Sequence, residues 1–197
     1  MRPSGDVLWP RVVAMTALGG DELHPCRPRL IVLRGNSASG KSTVAQALRA
    51  RYGRGLAIIS QDMVRRDILK ERDLPGGVNI DLLDLMARHS LEHGFHVVVE
   101  GILYVAHYGD MLTRLVDDHR ETAHCYYFDV PFATTLERHT TKPIADVVGE
   151  ADLRRWWRPR DLLPNGVERL IDEHSGIEHS VVRILNDCGL VTREPRV

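Results

Sequence analysis

The chain has 197 residues, 43% hydrophobic and 27% charged, with a formal net charge of -1: enough for one domain with a substantial core, and no global electrostatic case for nucleic acid or a membrane surface, although a local basic groove stays open. Cys26, Cys125 and Cys188 form no CxxC pair and read as reduced thiols in a cytoplasm. No apolar run reaches transmembrane length, and Pro10 and Arg11 interrupt VLWPRVVAMTALGG too soon for a signal peptide.

Residues 1–28 are punctuated by Pro3, Pro10, Pro25 and Pro28 and show no periodicity. They read as an extended or partly disordered arm ahead of a single domain over residues 29–197. Leu30 to Leu33 is wholly apolar, as expected of a strand buried on both faces of a parallel sheet. It runs into Gly35, Asn36, Ser37, Ala38, Ser39, Gly40, Lys41 and Ser42, which satisfy G-x-x-x-x-G-K-[ST] at every specified position. The glycines permit a tight loop whose backbone N–H groups surround phosphate oxygens. The helix expected from Thr43, with Gly53 as its stop, adds its free amides and dipole. Lys41 is expected at the β- and γ-phosphates of ATP, and the Ser42 hydroxyl on Mg²⁺. Strand, loop and helix occur in the required order, which argues against a chance Gly/Ser loop.

A second strand, Leu56–Ile59, delivers SQDMVRRDIL, a loop turning into a helix, and Pro75, Gly76 and Gly77 then break the chain. Asn79 opens a helix with Leu82, Leu85 and Met86 on one face, ended by Gly94. His96–Val99 is a third buried strand closing on Glu100 and Gly101; a helix through MLTRLVDDH and a fourth strand, HCYYFDV, follow. FATTLERH is helical and leads into a polar, Arg- and Pro-rich lid spanning about residues 140–164. A last strand falls within Val167 to Ile171, and Ser175-Gly-Ile-Glu178 resembles the capping box of a final helix reaching Gly189. This alternation predicts a three-layer α/β fold of the P-loop nucleoside-triphosphate hydrolase type, with a mainly parallel sheet. Ligands should meet at the carboxyl ends of its strands.

A phosphate loop serves switches, motors and kinases alike. Asp73-Leu-Pro-Gly76 fits DxxG, but no NKxD follows, so those residues read as a helix-terminating turn. A kinase needs a carboxylate to orient the acceptor hydroxyl and accept its proton, and Asp62 lies just past the second strand on the same rim as the phosphate loop. The competing role for Asp62 is a helix N-cap. A kinase also needs positive charge on the transferring group, and Glu150-Ala-Asp-Leu-Arg154-Arg155-Trp156-Trp157-Arg158-Pro-Arg160 supplies four arginines. The plainer alternative is a solvated helix with Arg155 paired to Asp152 or Glu150.

GNSASGKS (35–42), SQDMVRRDIL (60–69), VVVEG (97–101), DVPFATTLERH (129–139) and EADLRRWWRPRDLL (150–163) together resemble the P-loop kinases that include polynucleotide 5′-hydroxyl kinases, zeta-type toxins and chloramphenicol phosphotransferase. The resemblance runs from about Arg29 to Leu190. It implies phosphoryl transfer from ATP to a hydroxyl, aided by Mg²⁺. It matches Asp62 to a catalytic carboxylate and Arg65 to a substrate-binding arginine, with Arg66 a close competitor. Glu100 matches an acidic residue near Mg²⁺ or substrate, and Arg138 an arginine packing on the nucleotide base. Arg154, Arg155 and Arg158 are the phosphate-contacting candidates. The acceptor stays open between a small molecule (nucleoside, nucleotide sugar or antibiotic), slightly favoured, and a polynucleotide 5′-hydroxyl; a non-catalytic nucleotide-dependent binding module is the competing class.

Two further signals carry less. His89-Ser-Leu-Glu92-His93 spells H-x-x-E-H, but no third zinc ligand can be assigned. Of Trp156 and Trp157, one is expected to anchor the lid and the other to cover its surface, ahead of stacking on an acceptor.

Overall fold

Every residue of β1 (Leu30–Gly35) is buried, as is every residue of β3 (His96–Gly101), because these strands lie inside a five-stranded sheet of order β2-β3-β1-β4-β5. The remaining strands are β2 (Leu56–Ser60), β4 (Ala123–Asp129) and β5 (Glu168–Asp172). All four pairings are parallel, with Val32 opposite Val99 on one side and Cys125 on the other. The computed structural model describes residues 27–140 and 148–190. The arm assigned to residues 1–28 falls almost wholly outside them, together with Cys26 and residues 141–147 of the expected lid.

Side chains alternate between the two faces of the sheet, which divides the core in two. Leu30, Val32, Val97 and Val99 pack under α2 (Val78–Glu92) and α3 (Val105–Asp118) through Leu83, Ala87, Leu112 and Leu115. Ile31, Leu33, Val98 and Phe128 face α1 (Lys41–Tyr52) and α6 (Ile177–Asp187) through Val44, Leu48, Val181 and Ile184. Over the strands' carboxyl ends lie α4 (Phe132–Thr140) and α5 (Glu150–Trp156).

Four expectations are corrected in detail. SQDMVRRDIL forms a π-helical turn, Met63–Ile68. α2 buries Ile80, Leu83, Ala87 and Leu91, while Leu85 is exposed and Leu82 and Met86 only flank the core. α3 begins six residues before MLTRLVDDH, with Tyr108 and Gly109 on its buried side. The capping box of α6 is not formed. Gly176 stands at the N-cap, and the Ser175 N–H and hydroxyl donate upstream to Asp172 Oδ1 at 2.9 and 2.8 Å. Glu178 pairs with Arg51 of α1 instead.

Candidate active site

The loop between β1 and α1 is shaped by close packing as well as by phosphate chemistry. Gly35 has φ +141°, and a Cβ there would lie 2.7 Å from the Phe128 carbonyl oxygen of the neighbouring strand. Either feature alone excludes a side chain. α1 starts at Lys41, two residues ahead of the expected Thr43, so the lysine and Ser42 both lie in the first helical turn. Lys41 Nζ donates to the Asn36 carbonyl at 2.7 Å and to Ser39 Oγ at 3.2 Å, curling over its own loop.

Across from the loop, the penultimate residue of β3 is Glu100, a buried carboxylate. Ser42 Oγ donates to Glu100 Oε2 at 2.9 Å. A hydroxyl and a carboxylate in contact beside a phosphate loop form a hard-oxygen pair. This donor set fits a Mg²⁺ that keeps several waters and takes its remaining ligands from phosphate. No cluster of three or more His, Cys, Asp or Glu able to hold a metal occurs among the described residues. The rings of His89 on α2 and of His93 at its C-terminal cap, the two histidines of the H-x-x-E-H string, lie tilted 4.1 Å apart, and both are exposed.

Asp62 does not cap the turn that follows it. Its Oδ1 accepts from Arg65 Nη2 at 2.9 Å and pairs with Arg66 Nε at 3.1 Å. Asp62 and Arg66 line one cavity with Ser37, Ala38, Lys41, Ser42, Ser60, Glu100, Gly101, Ile102 and Trp156. Its volume is about 90 Å³. The positions expected at phosphate, metal and acceptor hydroxyl therefore share one space, closed on one side by the lid. Gly101 has a steric reason: a Cβ there would come within 2.6 Å of Gln61 Cβ.

In the described part of the lid, Arg160 reaches back to Asp129 of β4 at 2.8 Å, and the other three arginines find partners close by. Arg154 reaches Glu150 at 2.7 Å and lies over the Phe132 ring, and Arg155 reaches Asp152 at 2.7 Å. Arg158 donates to the carbonyls of Arg155 and Trp157 and lies 5.5 Å from the centre of the Tyr104 ring. None of the three lines the cavity. Trp157 meets Phe132 edge-on at 5.9 Å and anchors α5 to α4, while Trp156 faces the cavity. Arg138 donates to the Ser39 carbonyl at 3.2 Å and the Glu173 carbonyl at 3.1 Å, bracing the phosphate loop from α4.

Several residues here escape a sequence reading. Arg34 is fully buried. Its guanidinium donates to the Leu103 carbonyl, to Glu168 Oε1 at 2.8 Å and to Asp161 Oδ2 at 3.2 Å. Leu103 adopts φ +48°, which a non-glycine residue rarely does. The Tyr104 hydroxyl donates to the Trp156 carbonyl at 2.5 Å, and burial pushes that phenol up to about 12. Asp73, read above as part of a turn, accepts from Gln61 Nε2, from the Tyr108 hydroxyl and interacts with His107 Nδ1. No local pattern in the sequence signals any of this.

A phosphate loop, a serine–carboxylate pair, an acidic residue past the second strand and a lid over a parallel sheet define a kinase-type P-loop fold. The family comparison agrees: the chain belongs to the family whose model, described as an AAA domain, matches residues 30–161. No curated protein sequence matches the chain significantly. Among solved structures it is similar to an APS kinase from Mycobacterium tuberculosis, determined with AMPPNP and APS, at 17% identity and a TM-score of 0.61 over 82% of this chain and 98% of that one. A gluconokinase from Sinorhizobium meliloti 1021 aligns at 17% identity and a TM-score of 0.56, over 84% and 94%. A tunicamycin resistance protein from Deinococcus radiodurans gives 17% identity and a TM-score of 0.58, over 85% and 99%. At such identities the likeness is one of fold.

Proposed function

We propose that the protein is an ATP-dependent kinase that transfers the γ-phosphoryl group to a hydroxyl. The observation that carries this reading is the shared cavity, in which Lys41, Ser42, Glu100 and Asp62 meet. A nucleotide-binding module without chemistry has no need of Asp62 or of a lid rich in arginine.

In this mechanism the loop amides and Lys41 hold the ATP phosphates, and Arg138 keeps the loop in shape. Ser42 and, through water, Glu100 would hold Mg²⁺, which when bound neutralises charge on the β- and γ-phosphates. Asp62 orients the acceptor hydroxyl for in-line attack. As the new O–P bond forms and the bond to the β-phosphate oxygen breaks, the hydroxyl proton passes to Asp62 and ADP leaves. Arg65 and Arg66 hold Asp62, and Arg66 flanks the acceptor. Arg154, Arg155 and Arg158 would have to leave their local partners to reach phosphate.

A small-molecule acceptor (nucleoside, nucleotide sugar or antibiotic) is favoured over a polynucleotide 5′-hydroxyl, because the cavity beside Asp62 is small and walled by Ile102 and Trp156. The test follows label from γ-labelled ATP and Mg²⁺ into 5′-hydroxyl oligonucleotides and, separately, into pooled nucleosides, nucleotide sugars and hydroxylated antibiotics. Label is expected in the small-molecule pool and absent with Lys41→Ala. Label on the oligonucleotide alone would transfer the assignment to nucleic-acid ends. ADP release in neither pool would favour the binding module.

A further inference from the structure

The phosphate-loop motif leaves the residue after its first glycine unspecified, because phosphate is bound there by backbone rather than by side chain. Here that residue is Asn36, and its buried side chain points away from the phosphate cradle to the strap that leaves α5. Asn36 Nδ2 donates to the Arg158 carbonyl at 2.7 Å, and the Arg158 N–H donates back to Asn36 Oδ1 at 2.8 Å. The amide thus pairs with the strap's main chain as a second strand would. On the other side of Gly35, Arg34 reaches Asp161 of the same strap. Asp161 is fixed further by the Val105 N–H on its carboxylate, and its own N–H donates to the Tyr127 hydroxyl. Between these two attachments the chain reverses through Arg160, at φ +42°.

Asn36 also serves the other partner. Its main-chain carbonyl accepts from Lys41 Nζ at 2.7 Å, the amine expected on the transferring phosphate. One residue therefore touches the phosphate-binding lysine with its backbone and the lid's exit with its side chain. If Lys41 turns to a bound phosphate, the Asn36 carbonyl keeps only the longer bond from the Ser39 N–H at 3.3 Å, and the loosened peptide can shift with its hold on Arg158.

We infer that Asn36 is a positioning residue that couples occupancy of the phosphate loop to the placement of α5 and its exit strap. The inference rests on the ATP-binding reading above. It requires the amide of Asn36 and the main chain of Arg158, and not the Arg158 guanidinium.

The test is hydrogen exchange of residues 150–161 in the full chain, with and without Mg²⁺ and a non-hydrolysable ATP analogue, beside a direct binding measurement for that analogue. In the wild-type protein the analogue should change exchange across this segment. In Asn36→Ala the analogue should still bind while the change across 150–161 shrinks by about 10- to 30-fold, the effect of losing two neutral hydrogen bonds. Asn36→Ser keeps a small neutral polar side chain too short to bond both the N–H and the carbonyl of Arg158, and should behave like Asn36→Ala; it supplies the result if the alanine variant fails to fold. An undiminished response in both Asn36 variants would overturn the coupling while leaving ATP binding intact. A wild-type chain that does not bind the analogue at all would overturn the ATP-binding reading and the coupling with it.

Discussion

Asp62 is more than half exposed, yet both arginines that follow it in the next turn lie on its carboxylate. In that setting the carboxylate is held at the wall of the cavity while remaining open to a hydroxyl. Replacing it with an amide keeps shape and hydrogen bonding but removes the proton acceptor. Asp62→Asn should therefore leave ATP affinity near that of the wild type and lower transfer at least about tenfold, more fully about 10²- to 10⁴-fold. Steady-state turnover beside equilibrium nucleotide binding measures both, and unchanged turnover would remove Asp62 from the mechanism. Asp62, Ser42 and Glu100 were legible in the sequence because each stands at a strand end or helix start, where local pattern fixes position. Arg34 was not. Its carboxylate partners lie 127 and 134 residues further along the chain, and nothing local distinguishes an arginine that closes a buried strand from one that leaves the sheet for water.

At the scale of the element, α2 shows how an amphipathic reading goes astray. Its apolar residues, Ile80, Leu82, Leu83, Leu85, Met86 and Leu91, surround much of the helix, so spacing supports two faces about equally. Contact with β3 and α3 selects the one that carries Ile80, Leu83, Ala87 and Leu91. Truncating Leu83 to alanine should cost about 2–5 kcal/mol. Leu85→Ala should stay within about 0.5 kcal/mol of the wild type, as for most surface changes. Urea unfolding of the two variants separates the faces; equal losses would contradict this packing. The lid makes the complementary point. Its arginines were legible as a group, but their pairing with Glu150 and Asp152 one turn away reflects ordinary helical spacing.

Across the whole molecule, burial leaves a pH signature. Cys125 and Cys188 are pushed up to about 12, first by burial and then by the nearby carboxylates of Glu168 and Asp187 respectively. Tyr104 rises to about 12, and burial also raises Tyr108 and Tyr126. All of these groups are neutral in the folded state, and all ionise earlier in the unfolded chain, the thiols near 9.0 and the phenols near 10.0. The unfolded state thus loses protons first as pH rises. The stabilisation is fully present below about pH 9 and is lost progressively as pH climbs toward 12. Urea midpoints should be flat with respect to these groups up to pH 9 and decline above it; a midpoint that held constant to pH 11 would show that these side chains are not buried together.

The order of strands and helices, the parallel sheet, the phosphate loop and the serine, lysine and carboxylates around it were set by the sequence itself. Each depends on spacing within some ten residues, where chain geometry leaves few alternatives. The tertiary structure alone decided which face of α2 enters the core, that Arg34 joins β1 to Asp161 and Glu168, and that Asn36 grips Arg158. The Arg34 and Asn36 contacts join residues more than 100 positions apart, and the buried face of α2 is chosen by β3 and α3 rather than by its own spacing, so no local pattern encodes them. They follow from which strands lie side by side, and β1 lies between β3 and β4 with the lid's exit passing over its end.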